Sequence, residues 1–137
     1  MKKYEFTGET KVMAGVTLKR IRALISFGFV AKGEIGGFIE DEKNLSHGGN
    51  AWVTGNARVT DNADYMLIGS IGSRNDFTTF YKDIDGGISV KCGCFSGTIE
   101  EFREKVEETH GTNTKHAKVY QAAANLAEVQ ILDQEAE

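Results

Sequence analysis

The most regular alternation of apolar and polar positions in this chain is a six-residue repeat over residues 49–66. The repeat reads Gly-Asn-Ala-Trp-Val-Thr, Gly-Asn-Ala-Arg-Val-Thr and Asp-Asn-Ala-Asp-Tyr-Met, with asparagine, alanine and a large apolar residue in register. A fixed hexad of this kind is typical of a β-helix, in which short strands form the faces and Asn and Gly form the corners. The repeat supplies about one coil, which cannot cover its own two ends, so we expect the rest of the chain or another subunit to complete it.

The segments that precede the repeat are punctuated by glycine and read as short strands. Residues 3–8 alternate between apolar and polar, which predicts a strand. Residues 16–27 also fit a helix by the spacing of Leu18, Ile21 and Leu24, but the flanking glycines and β-branched residues favour strands. Together with the repeat, these segments predict a short β-helix-like region over residues 1–66.

A different pattern follows the repeat. Apolar segments at residues 66–71, 77–82 and 88–95 are separated by polar, glycine-bearing turns, which predicts three strands of an antiparallel β-meander. Thr98 followed by Glu101 is a capping box that begins a helix, and Gly111 is placed to end it. A second helix is predicted from about residue 114 to residue 132 by its apolar stripe. That stripe consists of Ala117, Tyr120, Ala124, Ala127 and Ile131.

The predicted fold class is therefore α+β. An N-terminal short β-helix-like coil of hexapeptide repeats is followed by an antiparallel β-meander and two C-terminal α-helices. We predict a hexapeptide-repeat region over residues 1–66 and a small α+β domain, with three strands and two helices, over residues 67–132. Residues 133–137 form an acidic tail.

Composition and charge narrow the function classes. Hydrophobic residues make up 40% of the chain and charged residues 26%, and no apolar run reaches membrane-spanning length. No secretory signal opens the chain, so we expect a cytoplasmic protein without a membrane partner. The net charge of −4 divides into +5 for residues 1–33 and −9 for the remainder, which argues against a nucleic-acid partner. Lys19, Arg20 and Arg22 form either a local basic patch or the solvated ends of strand residues.

The turn at residues 72–75 is the first candidate ligand site. Its residues combine backbone N–H groups, a hydroxyl and a guanidinium, which together suit a phosphate or a carboxylate. They are Gly72, Ser73, Arg74 and Asn75. The alternative is a structural turn in which Arg74 caps a carbonyl or pairs with Asp76.

Lys91 and Phe95 form a second candidate site on the third meander strand. The two-residue period of a strand places them on one face with Ser89 and Gly93, where a lysine and an aromatic ring could hold a phosphate and a base. The alternative is a face that is solvated or that packs on a neighbouring subunit.

The two cysteines, Cys92 and Cys94, share the opposite strand face with two aliphatic residues. This position favours a buried core role over a zinc site completed by His110 and His116, and the gap between the cysteines is too short for a usual zinc pair. A cysteine nucleophile assisted by His110 has as little support. We therefore predict no metal, no cofactor and no disulfide framework.

Three residues are predicted to lie at subunit interfaces: Trp52, which takes an outward position in the hexad, Arg58 and Tyr120. His47, next to the repeat, matches the general base that hexapeptide acyltransferases place between subunits, but it lacks the long coil stack that builds their cofactor groove. No catalytic triad, metal set or complete cofactor motif occurs in the sequence, so we predict no catalytic residue.

The order of these motifs resembles that of phage- and prophage-encoded hexapeptide-repeat proteins. In the N-terminal half the matching residues are 4–6, 20–24, 32–40 and 49–60, and in the C-terminal half they are 71–76, 92–98 and 107–111. The resemblance implies a β-helical oligomer with a small appended α/β domain, located in the cytoplasm of a host cell.

Three functions stand as hypotheses. The first is a non-enzymatic phage accessory protein, a homo-oligomer (dimer or trimer) that sequesters a small anionic, nucleotide-type ligand in counter-defence. The second is an interaction inhibitor or scaffold that masks a host defence protein, motivated by the basic N-terminal region and the acidic helices. The third is an acyltransferase-like enzyme, motivated by the hexads alone. We favour the first, since no catalytic constellation supports the third.

Overall fold

The computed structural model describes residues 2–55, 57–60, 64–71, 76–93 and 95–132. Over these ranges the chain forms two four-stranded sheets and two α-helices. The strands are β1 (Tyr4–Met13), β2 (Val16–Ala23), β3 (Ile35–Ile39), β4 (Arg58–Val59), β5 (Tyr65–Ile71), β6 (Asp76–Lys82), β7 (Ile88–Cys92) and β8 (Phe95–Thr98). The helices are α1 (Ile99–His110) and α2 (Lys115–Leu132). The α+β class and the two C-terminal helices are thus confirmed.

Sheet 1 comprises β1 to β4 in sequence order. β1, β2 and β3 form an antiparallel meander, and β4 pairs in parallel with β3 through Phe38 opposite Arg58 and Ile39 opposite Val59. β1 covers residues 4–8 of the strand predicted at residues 3–8, and β2 covers residues 16–23 of the segment that fitted both a helix and strands. The preference for strands is confirmed over residues 16–23.

The prediction of a β-helix-like coil is wrong. Residues 49–55, which we call the hexad segment, form no named strand. Three consecutive side chains of this segment, Ala51, Trp52 and Val53, are at most 2% exposed. A coil wall would expose alternate side chains, whereas here Gly37 of β3 donates a hydrogen bond to the Val53 carbonyl and Thr79 of β6 accepts one from the Trp52 N–H. The hexad segment is therefore covered on both sides by different elements, and sheet 1 takes the place of the coil.

Sheet 2 comprises β5 to β8, all antiparallel, which confirms the meander. The segment predicted as a single third strand at residues 88–95 is divided into β7 and β8. Gly93 ends β7 with a φ of 59°, a left-handed conformation that glycine adopts without strain, and the chain reverses there.

Both helix predictions hold in detail. The Thr98 hydroxyl accepts from the Glu101 N–H at 3.1 Å and the Glu101 carboxylate accepts from the Thr98 N–H at 2.9 Å, which closes the capping box. α1 ends before Gly111, whose φ is 76°. The predicted apolar stripe of α2 is buried throughout. Neither helix is long and apolar enough within the described residues to cross a membrane.

Sheet 2 is the middle layer of the protein. On one face its apolar residues pack against α1 and α2 to form the helix-side core, which includes Phe80, Val90 and Phe102. On the other face it meets sheet 1 and the hexad segment in the sheet-1 core, to which β6 contributes Tyr81. The second face of sheet 2 is only partly covered by the hexad segment, and the clefts described next lie there.

Candidate functional site

A cleft of about 230 Å³ opens between the hexad segment and sheet 2. We call it the polar cleft because hydroxyl and carboxylate side chains dominate its lining. It is lined by Thr54, Gly55, Tyr81, Asp83, Asp85, Ser89, Ser96, Gly97, Thr98 and Glu101. Such a lining suits a ligand with several hydroxyl groups or a positive charge, and it disfavours a bare anion inside the cleft.

The strand register brings the hydroxyl side chains of the cleft together. Tyr81 of β6 lies opposite Ser89 of β7, and Ser89 lies opposite Thr98 at the end of β8. Ser96 of β8 lies opposite Lys91. Because side chains directly opposite each other share a face of the sheet, these residues form two adjacent polar rows beside the hexad segment.

A chain of hydroxyl groups crosses the cleft. The Thr54 hydroxyl lies 2.8 Å from the Tyr81 hydroxyl and 3.0 Å from the Ser96 hydroxyl, and so links the hexad segment to both β6 and β8. Burial raises the pKa of Tyr81, which keeps its hydroxyl neutral and able both to donate and to accept. Each hydroxyl in this row can act as donor or acceptor, so a bound ligand can change which group donates each hydrogen bond.

Asp83 closes one end of the polar cleft and is only 8% exposed. Its Oδ1 accepts from the backbone N–H groups of Asp85 and Gly87, and its Oδ2 accepts from the Ser89 hydroxyl at 3.0 Å. The Ser89 hydroxyl thus donates its proton to Asp83, and its oxygen can accept a hydrogen bond from a ligand. Asp83 and Ser89 together favour ligand groups that donate, such as sugar hydroxyls.

Lys91 lies beside the polar cleft, in the row of Ser96. Its Nζ donates to the Gly93 carbonyl at 2.7 Å, and an ammonium carries further protons for a ligand. The predicted pairing of Lys91 with Phe95 is wrong. Phe95 instead packs against the helix-side core, with its ring centroid 5.8 Å from that of Phe102. Because the chain reverses between β7 and β8, Phe95 lies opposite Cys92 and shares its face of the sheet, whereas Lys91 lies on the other face.

A second, smaller cleft of about 20 Å³ lies on the other side of Lys91. We call it the aromatic cleft; it is lined by Phe27, Gly28, Phe29, Val30, Asn50, Trp52, Phe77, Thr79, Lys91 and Gly93. At its rim Phe29 is 48% exposed and Phe77 38% exposed. Lys91 lines the aromatic cleft and lies opposite Ser96, which lines the polar cleft.

The first predicted site, Gly72, Ser73, Arg74 and Asn75, lies outside the described residues and stays a prediction. In the sequence it lies between the described ends of β5, at Ile71, and β6, at Asp76. Cys94 also lies outside them. Cys92 is partly buried against the helix-side core and its Sγ lies 3.1 Å from the Thr78 hydroxyl, in agreement with a core role. In the part of the chain that is described, no group of three His, Cys, Asp or Glu residues could hold a metal ion.

His47 is fastened by its neighbours. Its Nδ1 accepts from the Lys3 N–H at 2.9 Å, and its Nε2 lies 3.1 Å from the Glu42 carboxylate. Hydrogen bonds to Glu42, first from Lys2 and then from His47, lower the pKa of that carboxyl group. With both ring nitrogens occupied, His47 has the contacts of a structural residue, and it does not line either cleft.

The predicted interface residues have different surroundings. Trp52 is 1% exposed, so its predicted outward position is wrong. Its ring meets the Phe27 ring edge to face and lies close to Gly36 of β3, and its Nε1 has no hydrogen-bond partner among the described residues. Tyr120 is 7% exposed in the helix-side core, where its ring stacks on His110 and meets Phe102 edge to face. Arg58 is half-buried beside Phe38 in sheet 1. A role for Arg58 in an interface stays a prediction.

The residues that sequence patterns missed are Thr54, Tyr81, Ser96 and Asp83. Alternation along β6 and β7 indicates that Tyr81 and Ser89 share a face, which was the available signal. Nothing local indicates that Thr54 meets Ser96, because 42 residues separate them in the chain.

Comparisons with protein-family models, with curated proteins and with solved structures found no match for this chain.

Proposed function

We propose that this protein binds a small phosphorylated ligand of the nucleotide type, with a sugar in the polar cleft and its phosphate at Lys91. The observation that carries the proposal is the cluster of four hydroxyl side chains and the buried Asp83 carboxylate in one cleft, directly beside a lysine. Those four hydroxyl residues are Thr54, Tyr81, Ser89 and Ser96.

The polar cleft recognises hydroxyl groups. Asp83 has an oxygen that accepts only the Ser89 proton, and a carboxylate oxygen can take a further donor. Thr54 and Ser96 can each exchange a mutual hydrogen bond for one to the ligand, since both can donate and accept. A volume of about 230 Å³ is at the small end for a ligand pocket, so it holds one sugar ring rather than a whole nucleotide.

Charge then sets the orientation of the ligand. Asp83, Asp85 and Glu101 in the cleft lining repel a phosphate, whereas Lys91 attracts one. Lys91 and Ser89 are two residues apart on β7, which is about 6.6 Å along a strand. This spacing matches the distance between a sugar ring and a phosphate attached to it.

The aromatic cleft extends the site beyond Lys91. Phe29 and Phe77 are partly exposed at its rim, and many proteins use aromatic side chains to stack on bases without reading their sequence. The order along the face is therefore aromatic rings, lysine, hydroxyl cluster. A ligand with a phosphate between a base and a sugar, as in a nucleoside diphosphate sugar, follows the same order. Sequestration of such a signal in a host cell, as a phage-type accessory protein would perform it, belongs to this proposal.

Titration calorimetry tests the proposal with three probes: ADP-ribose, ribose 5-phosphate and ribose. We expect ADP-ribose to bind most tightly and ribose most weakly, because only the first can occupy all three parts of the site. Lys91→Gln should weaken the two phosphorylated probes by roughly 10- to 100-fold, the range for a lost charge-assisted contact, and leave ribose unchanged. Ser96→Ala should weaken all three by up to about 10-fold.

Lys105→Gln is the matched control, since Lys105 is an exposed lysine of α1 that lines neither cleft. It should leave every affinity unchanged. If none of the three probes binds wild-type protein at millimolar concentration, or if Lys105→Gln weakens binding as much as Lys91→Gln, the proposed site is wrong.

A second candidate function, the masking of an acidic host protein, has one specific observation in its favour. On sheet 1, Lys11 Nζ and the Arg20 guanidinium lie 5.0 and 4.5 Å from the centre of the Phe38 ring, and Arg58 pairs with Phe38 in register. Two cations thus lie over one aromatic ring, with a third basic residue on the neighbouring strand and Glu9 3.7 Å from Arg20. Charge reversal of Lys11 and Arg58 would abolish a complex made by this patch and leave ADP-ribose binding intact.

A further inference from the structure

Helix α2 carries a second apolar stripe besides the buried one. Val119, Ala122, Leu126 and Val129 follow each other at intervals of three, four and three residues. Leu126 is 50% exposed and Val129 is 59% exposed, Ala122 is exposed and Val119 is half-buried. We call these four residues the outer stripe. A solvated helix face is normally polar, so an apolar stripe here is a feature to be explained.

The spacing of the outer stripe is that of a coiled-coil seam. Apolar residues at alternating intervals of three and four keep one edge of a helix facing a partner helix over successive turns. The buried stripe of α2 has the same spacing and faces α1 and sheet 2. The small Ala122 near the middle of the outer stripe allows a second helix to approach closely.

The charges at the two ends of α2 indicate which partner fits. Its first residues include Lys115 and Lys118, and its first turn contains no acidic residue. Its last turn contains no basic residue, and in the sequence it is followed by Asp133, Glu135 and Glu137. This arrangement is opposite to the one that the helix macrodipole favours, which places anions at the N-terminus and cations at the C-terminus. Stabilisation of the isolated helix therefore does not account for it.

A second copy of α2 in antiparallel orientation does account for it. The basic beginning of each helix then lies beside the C-terminal end of the other helix, where the helix dipole carries partial negative charge and no basic residue occurs. In parallel orientation the lysines of the two copies would meet, and so would the negative ends of the two dipoles. The same reversal aligns the two helix dipoles favourably.

We propose that two copies of this protein associate through the outer stripes of α2, antiparallel and related by a two-fold axis. Val119 packs against Val129 of the partner subunit, and Ala122 packs against the partner's Leu126. The contact is isologous, so the same patch serves both subunits and the assembly closes as a dimer. No residue of α2 lines either cleft, so the clefts stay open in the dimer and this proposal is independent of the proposed ligand.

Sedimentation equilibrium over a concentration series tests the dimer. Wild-type protein should be dimeric at high concentration, and Leu126→Glu should raise the dissociation constant by about 100-fold or more, because it places a carboxylate in an apolar seam. Val12→Glu is the matched control: Val12 is an apolar residue of sheet 1 that is 68% exposed, and its replacement should leave the dimer intact. Circular dichroism should report an unchanged fold for both variants.

The proposal is overturned if wild-type protein stays monomeric throughout the series, or if Leu126→Glu remains as dimeric as Val12→Glu. Binding of some other protein to the stripe would give the first of these results.

Disulfide cross-linking tests the orientation. An equimolar mixture of Val119→Cys and Val129→Cys proteins should form a cross-link between residues 119 and 129, identified by peptide mass spectrometry. Each variant alone should not form it at the engineered position. A cross-link between two copies of Val119→Cys would instead show parallel helices and reject the antiparallel arrangement. Lys115→Glu with Lys118→Glu should weaken an antiparallel dimer and leave a parallel one unaffected.

Discussion

Tyr4 and His47 stack face to face, with ring centroids 4.1 Å apart and planes inclined by 17°. The Tyr4 hydroxyl lies 2.7 Å from the Leu45 carbonyl and 2.9 Å from the Glu42 carbonyl, which share its proton. Through these contacts the first strand is fastened to the loop that follows β3. Burial, with the nearby Glu42 carboxylate as a smaller cause, raises the pKa of Tyr4, so the hydroxyl keeps its proton at every pH at which the protein is used.

Tyr4→Phe should therefore lower the free energy of unfolding by roughly 1–3 kcal/mol, because the buried Leu45 carbonyl loses its donor and the part-buried Glu42 carbonyl keeps only the longer bond from the Leu45 N–H. Urea denaturation followed by tryptophan fluorescence measures this change. Tyr65→Phe is the control: its hydroxyl accepts one exposed hydrogen bond at 3.4 Å, and the loss should be much smaller. Equal destabilisation by the two variants would contradict the assigned role of the Tyr4 hydroxyl.

The buried Lys3 predicts a pH dependence of stability. Its Nζ donates to the Ala51 carbonyl and lies 4.9 Å from the Phe27 ring centre, and burial lowers its pKa from 10.5 to about 8. Between these two values the unfolded chain holds a proton that the folded protein has released, so the free energy of unfolding rises with pH across this window. Below about pH 8 the folded protein carries the cost of burying the charge.

Lys3→Met should remove this contribution. Denaturation of the wild type and the variant at a series of pH values between 7 and 10.5 gives two stability curves, and their difference isolates Lys3 from other titrating groups. We expect the wild-type curve to rise relative to that of Lys3→Met as the pH increases. Parallel curves would show that Lys3 titrates with its ordinary pKa.

The close approach of β3 to the hexad segment predicts that any side chain at Gly36 destabilises the fold. A Cβ at this position would lie 2.7 Å from Trp52 Cζ2, 2.8 Å from Ile21 Cγ1 and 2.9 Å from the Val53 carbonyl oxygen. Gly36→Ala should lower the free energy of unfolding by about 1–3 kcal/mol, the usual effect of overpacking. Gly48→Ala, whose nearest contact would be at 3.6 Å, is the control and should change stability little. Thermal denaturation of both variants compares them directly.

The predicted role of Arg74 in anion binding can be tested in the same titrations as Lys91. Arg74→Ala should reduce the affinity for ADP-ribose tens- to hundred-fold if the guanidinium makes a bidentate contact, and Arg74→Lys should restore only part of it. A lower melting temperature with unchanged affinity would indicate a structural turn.

Local sequence signals predicted the C-terminal half well. The capping box at Thr98 and Glu101, the end of α1 at Gly111 and the buried stripe of α2 all depend on residues within a few positions of one another. Such interactions are visible in the sequence because they need no knowledge of the rest of the fold.

The N-terminal half was mispredicted because a sequence repeat shows which residue types recur, but it does not show which other elements pack against them. The hexads provided small residues and corners, as a coil requires. Yet the Trp52 ring packs against Phe27 and beside Gly36, and its backbone N–H donates to Thr79 of sheet 2. All three partners are distant in sequence. The polar cleft was missed for the same reason. Its hydroxyl residues come from the hexad segment, β6 and β8, and only the folded chain brings them together.

Because of Tyr81, recombination that separated sheet 1 from sheet 2 would damage the protein. Tyr81 belongs to sheet 2, but its ring is 2% exposed within the sheet-1 core and its hydroxyl meets Thr54. The bridge between Ala57 and Asp83 crosses the same boundary. A gene fusion that joined residues 1–66 to an unrelated partner would therefore remove one wall of the N-terminal core. We expect residues 45–59 and β6 to be inherited together, as one unit of selection.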